Sequence, residues 1–206
     1  MTVPNILIFG STRFAPLSDI PTFLADHTDD TIWTWGTNDV AREVHRVRPD
    51  ALILTASSNR NDIVSRSNTE QLTAYAFVAR DPETREISEG TNGLITVLQK
   101  SRIQVEIVGS SLTAPQADAY HDVEWSYRKL ATAASKRSRY HINRLTAPVA
   151  RLDAICVDLE AALASDETND DDRWIRSLRR VETMRKLLHA VEAEIASRPL
   201  VQAVAA

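Results

Sequence analysis

The chain has 206 residues, 43% hydrophobic and 25% charged, an ordinary globular composition that excludes the disordered and fibrous classes. A net charge of −4 and a pI of about 5.7 argue against a general affinity for nucleic acid or for an anionic membrane. The single cysteine, Cys156, excludes an intrachain disulfide and any paired-cysteine zinc motif, and a chain this long buries a core without either.

The N-terminal MTVPNILIFG lacks a basic segment, and its apolar run is too short for a signal peptide. No stretch approaches the ~18 apolar residues of a membrane span. A cytoplasmic, reduced protein with no membrane partner is expected. All five glycines (10, 36, 90, 93 and 109) lie in the first 109 residues. The first half alternates apolar, β-branched runs at 5–9, 31–35, 51–55, 74–79 and 103–108 with the helix-length segments DIPTFLADH, DVAREVHRV, DIVSRSNTEQL and NGLITVLQKS. That alternation predicts an α/β fold, a Rossmann-like parallel sheet of about five strands flanked by helices. It is assigned to residues 1–110. Trp33 and Trp35 are expected in the core, one on each side of the sheet, and His45 on a helix surface.

In open parallel sheets, ligands bind beyond the carboxyl ends of the strands. The residues predicted there are Gly10, Ser11, Thr12 and Arg13 after the first strand, and Gly36, Thr37, Asn38 and Asp39 after the second. Asn59, Arg60 and Asn61 follow the third strand, and Glu89, Gly90 and Thr91 precede the helix after the fourth. Small and hydroxyl residues at helix starts let a phosphate reach unpaired N–H groups, and arginine adds a two-pronged donor. The same residue types also cap helices and close turns with no ligand. Neither a GxxxxGK[ST] loop nor a GxGxxG fingerprint is present.

The stretches ILIFGSTRF, WGTNDVAR, SNRNDIV and AYAFVA, with SEGTNGLITVLQKSRIQVEIV, resemble the SLOG superfamily over about residues 4–108. The nearest pattern is its YspA-like branch, related to the Lonely Guy phosphoribohydrolases and the DNA-processing Smf/DprA proteins. The resemblance implies a site for a nucleotide or nucleotide derivative. Gly10, Ser11 and Arg13 match the first motif, Gly36 and Asp39 part of the second, Arg60 and Asn61 the third, and Gly90 and Thr91 the phosphate-cradling Gly-Thr pair. In the phosphoribohydrolases an acidic residue follows that pair by two or three positions, where this chain has Gly93 and Leu94. Asp39 and Glu89 are the remaining candidate catalytic carboxylates.

From residue 110 onward glycine is absent and Ala, Leu, Arg and Glu dominate, which predicts a helical second domain over 111–206. Leu-Thr-Ala-Pro occurs at 112–115 and 145–148, each time placed to start a helix. A helix is predicted over 120–144, ending in the basic residues Lys136, Arg137, Arg139, His141 and Arg144. The stripe Ile142, Leu145, Val149, Leu152, Cys156, Leu159, Leu163 and a second stripe Trp174, Leu178, Val181, Leu188, Val191, Ile195 predict an antiparallel hairpin. Such a hairpin needs a further surface to bury, and a homo-oligomer is the expectation. The leading functional expectation is a sensor or sequestering protein for a small-molecule nucleotide derivative, with no cofactor and no metal. The alternatives are an N-glycosidic hydrolase or transferase acting on nucleoside monophosphates, and a nucleic-acid adaptor using the basic helix 128–144, which the acidic pI disfavours.

Overall fold

The computed structural model describes residues 4–54, 60–133, 138–165 and 171–198, with backbone alone at Arg60, Asn61 and Asp171. Its contacts divide the chain into two compact units, Met1–Asp118 and Ala119–Ala206.

The first unit alternates strand and helix: β1 (Asn5–Gly10), α1 (Asp19–Ala25), β2 (Thr31–Trp35), α2 (Asp39–Val47), β3 (Leu52–Leu54), α3 (Arg60–Thr69), β4 (Thr73–Val78), α4 (Glu89–Lys100) and β5 (Val105–Gly109). The five strands form one sheet in the order β3-β2-β1-β4-β5, and every pairing is parallel. The predicted Rossmann-like α/β architecture is therefore the observed one. Strand pleating sends alternate residues to opposite faces. Leu7 and Phe9 join Ile63, Leu94 and Leu98 of α3 and α4 in one core layer. Ile6 and Ile8 join Ile20, Leu24, Val40 and Val44 of α1 and α2 in the other. Central β1 is covered on both faces, as a parallel strand requires.

Trp33 and Trp35 do not straddle the sheet. Both pack against the Leu7–Phe9 layer, whereas Ile32 between them faces the other. Residues two apart on a strand share a face. Both indole N–H groups are buried without a hydrogen-bond partner. His45 is half-buried, its Nε2 2.9 Å from Thr34 Oγ1, which ties α2 to β2.

Gly10 ends β1 where space is smallest. A Cβ there would lie 2.7 Å from the Phe77 carbonyl oxygen and 2.8 Å from Val40 Cγ2. Its glycine lets β1 approach β4 and α2, which is a packing demand within the fold.

The second unit holds most of α5 (Ala114–Ala131), with α6 (Ser138–Ser165) and α7 (Asp171–Ser197). The first Leu-Thr-Ala-Pro does start a helix: Thr113 N–H donates to Gln116 Oε1, one half of a capping box. The second lies inside α6, so Pro148 is not a first-turn proline. It removes only its own N–H from the bond to the Arg144 carbonyl, and the helix continues. The predicted helix 120–144 is likewise two helices, because α5 ends at Ala131 and α6 begins at Ser138. Within the basic cluster, Arg139, His141 and Arg144 belong to α6, while Lys136 and Arg137 lie outside the described residues.

α6 and α7 run antiparallel. Arg185 of α7 forks onto Glu160 at 2.7 and 2.8 Å and also pairs with Asp153, and Arg198 at the end of α7 bonds Ser138 at the start of α6. Leu145, Leu152 and Cys156 of α6 and Val181, Met184, Leu188 and Val191 of α7 are buried, and the two helices pack against each other. Burial pushes the Cys156 thiol up, as suits a packed side chain. Trp174 does not join the seam; it is 41% exposed, within a run of exposed residues from 172 to 176. Arg198 gathers the helix ends: its guanidinium donates to the carbonyls of Leu130, Ala131 and Ala133 and to Ser138 Oγ, and its Nε bonds Glu194.

Three variants test these packing roles in chemical denaturation. Gly10→Ala should cost about 2 kcal/mol, as overpacking does. Arg198→Ala should cost about 2 kcal/mol or more by stranding several carbonyls. Arg198→Lys should recover little of it, since an ammonium cannot span those acceptors; full recovery would mean that charge and not the fork matters.

Candidate functional site

β1 lies between β2 and β4, and the chain leaves it toward β2 but reaches β4 only after passing through β3 and α3. The connections diverge between β1 and β4, the place where open parallel sheets form a crevice. A cavity of about 380 Å³ opens there. Its walls are Ser11, Thr12 and Arg13 from the β1–α1 loop, most of the β4–α4 connection between Ala79 and Ser88, Glu89 at the start of α4, and Ala117 and Asp118 from the start of α5.

The floor is a hydroxyl chain. Ser11, 2% exposed, donates its N–H to the Phe77 carbonyl at 2.8 Å. Ser11 Oγ lies 3.2 Å from Thr91 Oγ1, and Ser88 Oγ donates to the same Thr91 oxygen at 3.0 Å. Thr91 thus fastens the first turn of α4 to the end of β1. α4 begins at Glu89, earlier than the predicted Asn92, so Glu89, Gly90 and Thr91 form that first turn. The N-cap Ser88 makes no side-chain cap hydrogen bond. Helix geometry leaves those first amides without intrahelical acceptors. A Cβ at Gly90 would meet nothing within 4 Å, so packing does not require glycine there.

The connection from β4 to α4 folds back on itself. Arg80 and Ile87 form an antiparallel bridge, and Asp81 N–H donates to the Glu86 carbonyl at 2.9 Å. Asp81 Oδ1 accepts the amides of Glu83 and Thr84 at 2.9 and 2.8 Å. Those backbone bonds hold the Asp81 carboxyl below the usual carboxylate range. Opposite, Arg13 donates to Asp118 Oδ1 at 2.7 Å. The start of α5 is held by Asp19, which accepts from the Ser111 N–H and hydroxyl at 2.8 and 2.9 Å. Burial pushes the Asp19 carboxyl up against the pull of those bonds.

The sequence-predicted residues divide. Ser11, Thr12, Arg13 and Glu89 line the cavity, and Thr91 sits beneath it, bonded to Ser11. Gly10 serves packing. Gly90, in the α4 turn next to Glu89, is not itself a lining residue, and neither are Gly36, Thr37, Asn38 and Asp39. Gly36 takes a left-handed φ of 94°, a turn requirement. Asn38 caps α2 through Ala41 N–H and donates Nδ2 to the Gly10 carbonyl at 2.6 Å, so it braces the β1 end from behind. Asp39 pairs with Arg42 on α2. The two candidate carboxylates, Asp39 and Glu89, therefore do not flank one cavity. Asn59 lies outside the described residues, as do the side chains of Arg60 and Asn61, which open α3.

Arg80, Asp81, Ile87, Ser88 and Asp118 were not picked out by sequence. The one signal was the length of the segment from 79 to 88, which is too long for a simple strand-to-helix turn. Among the described residues, no group of three or more His, Cys, Asp or Glu is placed to hold a metal ion, and no helix is long and apolar enough to cross a membrane.

No protein-family model, curated protein or solved structure matches this chain.

The Asp81 wall makes a pH prediction. Its folded pKa is depressed, so its contribution is present above the unfolded pKa of about 3.9 and is lost as pH falls through the folded value. Asp81→Ala should speed amide exchange at Glu83 and Thr84 near neutral pH. Wild type should approach the same loosened state only in acid. Unchanged exchange in the variant would remove Asp81 from this role.

Proposed function

We propose that the Met1–Asp118 unit binds a nucleotide or nucleotide derivative, as a SLOG-like domain would, with its phosphate at the first turn of α4 and its apolar part against Pro82, Ile87 and Ala117. The observation that carries this reading is the cavity at the β1–β4 divergence, bounded by a helix start whose N-cap side chain bonds the Thr91 hydroxyl and makes no cap hydrogen bond to the helix amides. Gly90 supports it: the fold gives no reason for a glycine in that turn, whereas close approach of a phosphate does. Sensing or sequestering is favoured over N-glycosidic cleavage. Of the two predicted carboxylates only Glu89 lines the cavity, and Gly93 and Leu94 stand where an acid would be expected.

Titration calorimetry with AMP tests the reading, followed by a wider panel of nucleotides. AMP should bind, and Gly90→Ala should weaken it about tenfold. The same substitution should leave stability unchanged or raise it by up to about 0.5–1 kcal/mol, because alanine is the better helix former. No binding of any nucleotide at millimolar concentration, or AMP binding indifferent to Gly90→Ala, would sink the proposal.

A further inference from the structure

The arginine that should receive a phosphate already holds an anion. Arg13, on the β1–α1 loop, and Asp118, on α5, both line the cavity, and the guanidinium donates to the carboxylate at 2.7 Å. We infer that Asp118 is a built-in competitor for Arg13, which a ligand's phosphate must displace; this rests on the nucleotide reading above.

The pair is poorly explained as a device for stability. The Arg13 side chain is 55% exposed and that of Asp118 19% exposed, and ion pairs this accessible contribute little to folding. Its position gives it a different weight. The remaining charges on the cavity wall are Arg80 against Asp81, Glu86 and Glu89, so acids outnumber bases even before Asp118 is counted. Asp81 is turned into its own loop by the amides of Glu83 and Thr84. In such a field a carboxylate on Arg13 offsets the cation that an incoming phosphate would use, and it also repels the phosphate directly. A phosphate offers more acceptor oxygens and more charge than one carboxylate, so exchange favours it while an uncharged nucleoside gains nothing. Asp118 thereby sets the cavity's discrimination between phosphorylated and unphosphorylated forms of one ligand.

The test is calorimetric titration of the whole chain with AMP and with adenosine. Four proteins are compared: wild type, Asp118→Asn, Arg13→Ala and the double variant. Asp118→Asn should tighten AMP about fivefold, the upper range for an accessible ion pair, and leave adenosine unchanged. The gain should shrink as salt is raised. Arg13→Ala should weaken AMP, and adding Asp118→Asn to it should restore nothing. Asp118→Ala, with its melting midpoint measured alongside, guards against a fold effect peculiar to asparagine. The inference is overturned if Asp118→Asn weakens AMP or leaves it unchanged, if it tightens adenosine equally, or if its gain survives the loss of Arg13. If AMP binds the wild type and only the Asp118 arm fails, the nucleotide reading stands without this device. If AMP binds none of the four, both fall together.

Discussion

The close approach at Gly10 and Ser11 is the constraint from which the first unit follows. One side of this short segment meets β4, through the Ser11 N–H on the Phe77 carbonyl. The other meets α2, through Asn38 on the Gly10 carbonyl. Beyond it, Ser11 Oγ reaches Thr91 on α4. A strand and two helices thus converge on two residues, and the absence of a side chain at the first permits the approach of β4 and α2. The cavity exists because the chain leaves this crowded point toward β2, while the parallel β4 sends its own connection toward β5 on the other side. The crevice follows from the topology; the residues on its walls give it chemistry.

The helical unit has a counterpart in Arg198. One guanidinium closes the end of α5 and meets the start of α6, while Arg185 fixes the register of α6 on α7 through Glu160 and Asp153. Both arginines spend donors on oxygen atoms that helix geometry or ionisation would otherwise leave to water. The apolar seam supplies the bulk of the contact, and the arginines decide where along it the helices stop.

What the sequence revealed, and what it hid, divides by the range of the interactions involved. Strand identity is a local, compositional property, and the runs NILIF and AYAFVA fall within a residue of β1 and β4. The hairpin seam is also local, written as spacing. The break between α5 and α6 is not, because residues 132–137 contain neither glycine nor proline, and the end of α5 is satisfied by an arginine more than 60 positions away. The error over Trp33 and Trp35 was one of period, since positions two apart share a face whatever their chemistry. At the site, the β1–α1 loop and Thr91 were legible as small and hydroxyl residues at element ends. The wall from Ala79 to Ser88 was not, because it depends on Asp81 bonding its own loop and on Arg85 adopting a φ of 66°, which composition does not announce. Asp118 was hidden for the same reason: an acid in the second turn of a helix says nothing about which loop it will meet.

The sheet order also carries a history of synthesis. A chain emerging from its N-terminus can pair β1 with β2 early, but the other side of β1 waits for β4. The Ser11–Thr91 contact spans 80 positions and the Arg13–Asp118 contact 105, so the cavity can close only after nearly all of this unit has been made. Until then the β4-facing side of β1, with the Ser11 N–H at its end, stays unpaired. The bonds that define the candidate site are among the longest in sequence that the unit must close, and such non-local pairings form slowly. The part of the protein best placed to meet a ligand is also the part whose completion certifies that the rest of the sheet is in order.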